Sequence, residues 1–306
     1  MTLLAAIVGP TASAKSEIAL DLAERTGADI ISVDSMQVYR GLDIGTAKPS
    51  VAEQSRVTHH LIDLVEPEER FTVAEFQTAG VAVLDDLESR GRPAIICGGS
   101  GLHFRALVDP MTFPGHDDTV RAAVEALSAQ EAQDRLLAAD PRAGEVVDLD
   151  NPRRVARAVE IFEVTGETPS ERASGSEAVA LREYRPRVPF VAVGVDPGDA
   201  LPGRVERRLG RMLTAGWFEE VVGLSDRIGP TARQAVGYRE LLRVVEGEWP
   251  MDTARERILG ATTSLARRQR TFLRRDPRIW WAKWDDDPRA LADAAGRHLE
   301  EAGWNS

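Results

Sequence analysis

The strongest constraint lies at Gly9-Pro10-Thr11-Ala12-Ser13-Ala14-Lys15-Ser16, directly behind the apolar run Leu3-Leu4-Ala5-Ala6-Ile7-Val8. Such a run reads as a strand buried on both faces. The small residues behind it turn the chain into a helix that begins at about Ser13. Backbone N–H groups at a helix N-terminus cradle a phosphate. Lys15 adds a point charge, and the Ser16 hydroxyl suits Mg2+. The pattern asks for Gly before the Lys, and this chain has Ala14. Its methyl group either crowds the phosphate or resists backbone angles that Gly accepts freely. The plain alternative is an ordinary strand-to-helix turn with a chance Lys-Ser. Lysine usage argues against chance: of the 38 Lys and Arg residues, only Lys15, Lys48 and Lys283 are Lys.

The following segments alternate in the β-α-β manner. A helix over Lys15–Arg25 carries Ile18, Ala19, Leu22 and Ala23 on one face, and Gly27 closes it. Asp29–Val33 reads as a strand ending at Asp34. Val73–Arg90 shows a helical apolar stripe broken by Gly91-Arg92-Pro93. Ala94–Cys97 is a buried strand, and Gly98-Gly99-Ser100-Gly101 a second strand-to-helix loop. Phe190–Val195 and Ile279–Trp281 complete the strands. The expected fold is an α/β, P-loop parallel sheet with helices on both faces. Ligands bind such sheets at the carboxyl ends of the strands, where Gly9–Ser16, Asp34 and Gly98–Ser100 all fall.

Residues 116–185 read instead as a helical insertion, with 1–115 and 186–306 forming the α/β core. Gly115-His116-Asp117-Asp118 opens a helical stretch with Val120, Val124 and Leu127, and another holds Leu136 and Leu137. Asn151 is a helix cap with Pro152 in the first turn. That helix runs to Thr165, with Gly166 after it. Val155, Val159 and Phe162 share a face, and Arg153, Arg154 and Arg157 form a basic side. Glu167–Gly175 is polar and reads as a loop or lid. The tail after Asp285 reads as a plain acidic helix.

Composition narrows the function. The longest apolar runs are far short of a membrane span, and no basic leader precedes a cleavage site. The lone Cys97 excludes an internal disulfide and fits a reducing cytoplasm. A net charge of −11 counts against nonspecific nucleic-acid binding. A local basic surface is nevertheless present: Arg233 to Arg278 holds more Arg than acid. No exposed heptad or sticky edge is legible, so a monomer is the default expectation.

The stretch Ile31 to Pro49, with Asp34-Ser35-Met36-Gln37-Val38-Tyr39-Arg40-Gly41-Leu42-Asp43-Ile44-Gly45-Thr46-Ala47-Lys48-Pro49 at its heart, together with Gly9–Ser16, resembles the tRNA dimethylallyltransferase family. His59-His60-Leu61-Ile62-Asp63, Gly98-Gly99-Ser100-Gly101-Leu102, Val236-Gly237-Tyr238-Arg239-Glu240 and Arg267-Arg268-Gln269-Arg270-Thr271-Phe272 follow in family order, so the resemblance covers nearly the whole chain. It implies transfer of a dimethylallyl group from its diphosphate to the exocyclic amine of the adenine just 3′ of the anticodon in tRNA. Departing diphosphate needs donors and a metal. The phosphate loop, Lys15 and Ser16 supply them, and the resemblance adds Arg208 beside Arg207, which otherwise read as solvated helix charges. Asp34 would take the proton of the amine; a Mg2+ ligand or a turn cap is its alternative role. Ser100 stands where many relatives have Thr, its hydroxyl bonding the leaving group or the adenine. His103 stands where relatives often carry Tyr and receives no role. The resemblance also sets Asp34, Ser35, Met36, Gln37, Ser100, Arg121, Arg153, Arg154, Val155, Ala156, Arg157, Gln234, Ala235, Val236, Gly237, Tyr238 and Arg239 against tRNA.

Three rivals remain open. A nucleoside or nucleotide kinase uses the same loop and Mg2+. An adenylate isopentenyltransferase takes a free nucleotide as acceptor, which the insertion and the Arg-rich segment disfavour. A catalytically weakened RNA-binding relative is suggested by Ala14, but Asp34, Lys15, Ser16 and Ser100 are all retained.

Overall fold

The computed structural model describes residues 3–115 and 117–304. The chain divides into two compact units, one of residues 1–108 with 188–306 and one of Asp109–Arg187. His116, in the expected helix opening, lies outside the described residues.

The first unit holds β1 (Leu4–Val8), β2 (Asp29–Ser32), β3 (His59–His60), β4 (Ala94–Gly98), β5 (Phe190–Gly194) and β6 (Ile279–Trp281). They form one parallel sheet in the order β3-β2-β4-β1-β5-β6. Its helices are α1 (Lys15–Thr26), α2 (Val51–Arg56), α3 (Val73–Ser89) and α4 (Gly101–Val108) before the second unit. The second unit holds α5 (Asp118–Glu125), α6 (Ala129–Ala139), α7 (Pro152–Thr165), α8 (Pro169–Ser174) and α9 (Ser176–Arg182). The chain then returns with α10 (Leu201–Thr214), α11 (Trp217–Leu224), α12 (Tyr238–Val245), α13 (Met251–Arg274) and α14 (Pro288–Glu301).

Strand residues alternate between two cores, as the two-residue period requires. Ala5, Ile7, Ile30, Ile95 and Val193 pack with α1 and α14. Ala6, Val8, Ile31, Ile96 and Ala192 pack with α3, α4 and α11 to α13. Burial on both faces is why the strands read as continuous apolar runs.

Three local expectations are corrected. The first helix starts at Lys15, because Ala14 is left-handed at φ +64°. The tail helix α14 buries Leu291, Ala292, Ala295 and Leu299 in the core it shares with α1. Residues 167–175 contain α8, nucleated by a reciprocal cap between Thr168 and Glu171. The edge strand β3 is too short to leave a pattern in the sequence.

In the second unit, Val124, Ala132, Leu136, Ala143, Val155 and Val159 form a small core of their own. Asp117, Ser128 and Asn151 cap α5, α6 and α7. Buried Asp140 accepts from the Ser170 backbone N–H at 2.8 Å and from its hydroxyl at 3.0 Å, fastening α8 to the end of α6. No helix among the described residues is long and apolar enough to cross a membrane.

Candidate active site

Parallel register brings the loop ends level. Val8 pairs with Gly98, and Ser32 with Cys97. Beyond the strands, Gly9 N–H donates to the Gly98 carbonyl at 3.3 Å, and Ser100 N–H to the Val33 carbonyl at 3.3 Å. A Cβ on Gly9 would lie 2.2 Å from the Val195 carbonyl oxygen, and one on Gly98 would lie 2.5 Å from that of Val33. Gly is required at both because backbone meets backbone.

The Gly9–Ser16 loop is held from α10 and α13. Thr11 N–H donates to Gln269 Oε1 at 2.8 Å. Arg204 Nε donates to the Ala12 carbonyl at 2.7 Å while its guanidinium sits 4.9 Å over the Trp284 ring. Ala12 itself packs against Leu201, Val205 and Ala266. Both Ala12 and Ala14 adopt φ +64°. The backbone alternative for Ala14 is therefore the one realised: the loop takes the conformation that Gly would accept, and Ala bears the strain.

A cavity of about 1160 Å3 opens on this loop. Lys15, Ser16, Asp34 and Arg208 line it, together with apolar Met36, Ile44, Met212, Trp217, Val236 and Ile258. Burial pulls the Lys15 ammonium below its usual range; Arg208 acts in the same direction, while Cys97 and Asp34 oppose it. Burial likewise lowers Arg208, against the pull of Asp34. Arg207 is exposed, so the cation that senses Asp34 and Lys15 is Arg208. Lys15 Nζ donates to the Pro10 carbonyl at 3.2 Å. Beneath it the Cys97 thiol, pushed up to about 11 chiefly by burial, donates to the Lys15 carbonyl at 3.7 Å. Cys97 is thus an inert floor and not a nucleophile. Asp34 Oδ1 accepts the Met36 N–H at 2.9 Å, a turn that fixes one carboxylate oxygen, and the other has no hydrogen bond among the described residues. Ser100 Oγ lies 2.7 Å from His103 Nδ1.

No group of three or more His, Cys, Asp or Glu among the described residues is arranged to hold a metal. Ser16 is an exposed residue lining the cavity, and its hydroxyl is a hard oxygen donor. A Mg2+ ion fits it only in partnership with substrate phosphate oxygens and water, the usual habit of this ion.

The Asp34–Pro49 block is pinned internally. Lys48, only 3% exposed, donates to the Tyr39 carbonyl (2.8 Å), Asp43 (2.6 Å) and Asp63 (2.6 Å). Gln37 accepts from Ser32 Oγ at 2.8 Å and donates to the carbonyls of Thr46 (3.2 Å) and Ala47 (3.1 Å). Glu220 receives the N–H groups of Asp43 (3.1 Å), Ile44 (2.7 Å) and Gly45 (3.4 Å), and the Tyr238 hydroxyl at 2.5 Å. Sequence reasoning passes over Arg204, Glu220 and Gln269 as site-building residues. Gln269 lies inside the Arg267–Phe272 motif, which is the available signal; Arg204 and Glu220 carry none.

The residues expected against tRNA separate by exposure. Gln234, Arg239, Arg121, Arg153, Arg154 and Arg157 are exposed, and Ser35, Met36, Gln37, Ala156 and Val236 are half-buried. Val155, Ala235 and Tyr238 are buried and packed in cores. Gly237 is buried at φ +91°, where a Cβ would meet Trp217 at 2.0 Å. The structure gives these four scaffold roles: Tyr238 spends its hydroxyl on Glu220, and burial raises its pKa. The Arg233–Arg278 segment is also less basic in space than in sequence. Arg233 pairs with Glu246, Arg239 with Glu240, Arg243 with Glu248, and Arg278 with Asp276. Arg270 and Arg274 share Asp196. Arg255, Arg267 and Arg275 are exposed without an ion pair among the described residues. In the second unit a cavity of about 760 Å3 is lined by Arg153, Arg154, Arg157 and Arg172. Arg154 pairs with Asp148 at 3.0 Å and Arg157 with Glu160 at 2.7 Å, while Arg153 has no such partner among the described residues.

The sequence profile of the IPP transferase family matches residues 37–276. A Nocardioides protein named tRNA dimethylallyltransferase is 40% identical over 294 residues, 93% of this chain and 92% of that one. The crystal structure of a Staphylococcus epidermidis tRNA isopentenylpyrophosphate transferase superposes with a TM-score of 0.72 at 29% identity, covering 99% of this chain and 100% of that one. Its Bacillus halodurans counterpart gives 0.69 at 32% identity, with 98% of each chain covered. The chain belongs to the IPP transferase family, the tRNA dimethylallyltransferases.

Proposed function

We propose that this protein transfers the dimethylallyl group of dimethylallyl diphosphate to the exocyclic amine of the adenine 3′ of the anticodon in tRNA, releasing diphosphate. One observation carries the residue roles. A single cavity at the strand ends brings together a phosphate loop, two half-buried cations, Lys15 and Arg208, and the Asp34 carboxylate.

The loop N–H groups, Lys15 and Arg208 hold the diphosphate and take up the charge that grows as its bond to the allylic carbon breaks. Cations partly withdrawn from water act in a less screened environment, where they do more than in bulk solvent. Mg2+, when bound through Ser16 and the diphosphate, adds further charge neutralisation. The amine lone pair forms the new carbon–nitrogen bond, and Asp34 accepts the proton that the nitrogen loses. Ser100 bonds the other amine hydrogen, so the nucleophile is held at two points. The apolar part of the cavity suits the prenyl chain. The adenine must leave its stack to reach such a site, as a single-stranded loop permits. The exposed arginines of α7 and the free Arg255, Arg267 and Arg275 suit the RNA backbone. The buried single cysteine suits the cytoplasm as the site of action.

The test incubates the protein and Mg2+ with labelled dimethylallyl diphosphate or ATP, and with tRNA or AMP. Label passing from dimethylallyl diphosphate to tRNA is the expected result. Label from ATP in any acceptor would make the protein a kinase, prenylated AMP would make it an adenylate isopentenyltransferase, and RNA binding without transfer would make it a weakened relative.

A further inference from the structure

His103 is an ionisable side chain hydrogen-bonded to Ser100, and it carries no role in the scheme above. It sits on α4 one turn after Ser100, and Ser100 Oγ is 2.7 Å from its Nδ1. The ring packs edge-on against fully buried Phe76 of α3, with centroids 4.6 Å apart at 78°. Ser100 N–H is tied to Val33, the residue before Asp34. Ser100 and Asp34 are thus neighbours on adjacent strand ends, and His103 stands behind Ser100.

The direction of the Ser100–His103 hydrogen bond sets what Ser100 offers the substrate. With neutral His103 protonated on Nε2, Nδ1 accepts the Ser100 hydroxyl proton. The serine lone pairs are then free to accept an N–H. The attacking amine has two hydrogens, and Asp34 takes one. Ser100 then accepts the other, and the nitrogen lone pair faces the allylic carbon. If His103 is protonated, Nδ1–H donates to Ser100 instead. The serine must turn its own proton outward, and a donor then faces a donor.

We propose that neutral His103 is a positioning residue that holds Ser100 as a hydrogen-bond acceptor for the adenine amine. The inference rests on the transferase reading given above. Burial by α3 and α4 favours the neutral ring, and the Asp34 carboxylate is the charged group that opposes it. Phe76, the α3 contact, carries no charge.

The experiment measures kcat and KM for dimethylallyl diphosphate and tRNA from pH 5 to pH 9, in the native protein and in His103→Asn, His103→Leu, Ser100→Ala and Ser100→Ala/His103→Leu. Asn places an acceptor oxygen near the Nδ1 position and does not titrate; Leu keeps bulk against Phe76 and offers no acceptor. His103→Leu should lower kcat by roughly tenfold to a hundredfold, the range of a misplaced reactant, with the KM for dimethylallyl diphosphate unchanged. His103→Asn should recover most of that loss and shift the acid limb of the native profile to lower pH. The double variant should be no slower than Ser100→Ala alone. The inference is overturned if His103→Asn keeps the native acid limb, if Asn and Leu are equally slow at pH 7.5, or if the losses of Ser100→Ala and His103→Leu multiply. If His103→Leu fails to fold, the pH profile of His103→Asn still decides. Absence of prenyl transfer by the native protein at every pH would instead overturn the transferase reading.

Discussion

Ala14→Gly isolates the strain in the phosphate loop. Ala14 caps α1 at φ +64° and ψ +8°, a conformation that costs an L-residue about 1–2 kcal/mol. Gly removes that cost but gives the unfolded chain more freedom, which offsets about 0.4–1 kcal/mol. The net expectation is a gain of about 1 kcal/mol or slightly less. The same helix supplies a control at its other end. Gly27 sits at φ +68° and ψ +17°, and a Cβ there would meet nothing within 4 Å. Gly27→Ala therefore measures the same backbone cost with the opposite sign and no clash. Ala12, also at φ +64°, is unsuitable, because its methyl group is packed against Leu201 and Val205. Urea unfolding should show the midpoint rising for Ala14→Gly and falling for Gly27→Ala. A non-reactive thio analogue of dimethylallyl diphosphate, titrated in Mg2+, should bind the Gly variant tighter by tenfold at most, on the order of 1.4 kcal/mol. If both substitutions moved the midpoint in the same direction, backbone strain would not be the operative term. If affinity rose by more than tenfold, the methyl group crowds the phosphate after all. If native protein bound nothing and Ala14→Gly restored binding, the native chain would be a disabled relative.

Three further outcomes test the assigned roles. Asp34→Asn should lower kcat by about 100- to 10,000-fold while the thio analogue binds as before, and loss of Mg2+ dependence instead would make Asp34 a metal ligand. Because burial lowers the Lys15 pKa, its charge is lost as pH rises through a value below 10.5; kcat/KM for dimethylallyl diphosphate should fall on that alkaline side, and Lys15→Met should abolish the limb together with most of the activity. Replacing Arg153 and Arg157 together with Gln should raise the KM for tRNA and lower the log–log salt slope by roughly 0.7 to 0.9 for each phosphate that is no longer neutralised; an unchanged slope with a lower kcat would remove the α7 face from the RNA surface.

The sheet was legible because strand burial on both faces writes unbroken apolar runs. Leu4–Val8 and Ala94–Gly98 each left one, whereas the two-residue β3 left nothing. The helices α10 to α13 pass through a charged, Arg-rich stretch whose neutral faces emerge only when Asp196 and Glu246 are brought to meet the arginines. The left-handed angles of Ala12, Ala47, Leu61 and Asp63 were also invisible, since none is the Gly that usually signals them.

At the site, the legible residues are those in short local patterns: Gly9–Ser16, Asp34, Gly98–Ser100. Illegible were the supports that reach them from far along the chain. Gln269 holds Thr11 across 258 residues, Arg204 holds Ala12 across 192, and Glu220 holds Asp43 across 177. Each satisfies backbone groups that a ligand-binding loop must leave without regular secondary structure, and an unsatisfied buried N–H costs about 1–3 kcal/mol. The requirement for a donor or acceptor is local and can be inferred from the loop, but its source depends on which helix covers the strand ends. That choice is made by packing: Ala266 and Val205 seat α13 and α10 against Ala12, and this contact carries Gln269 and Arg204 within reach of the loop. Small apolar residues thereby place the polar ones, and a search for charged motifs alone passes over them.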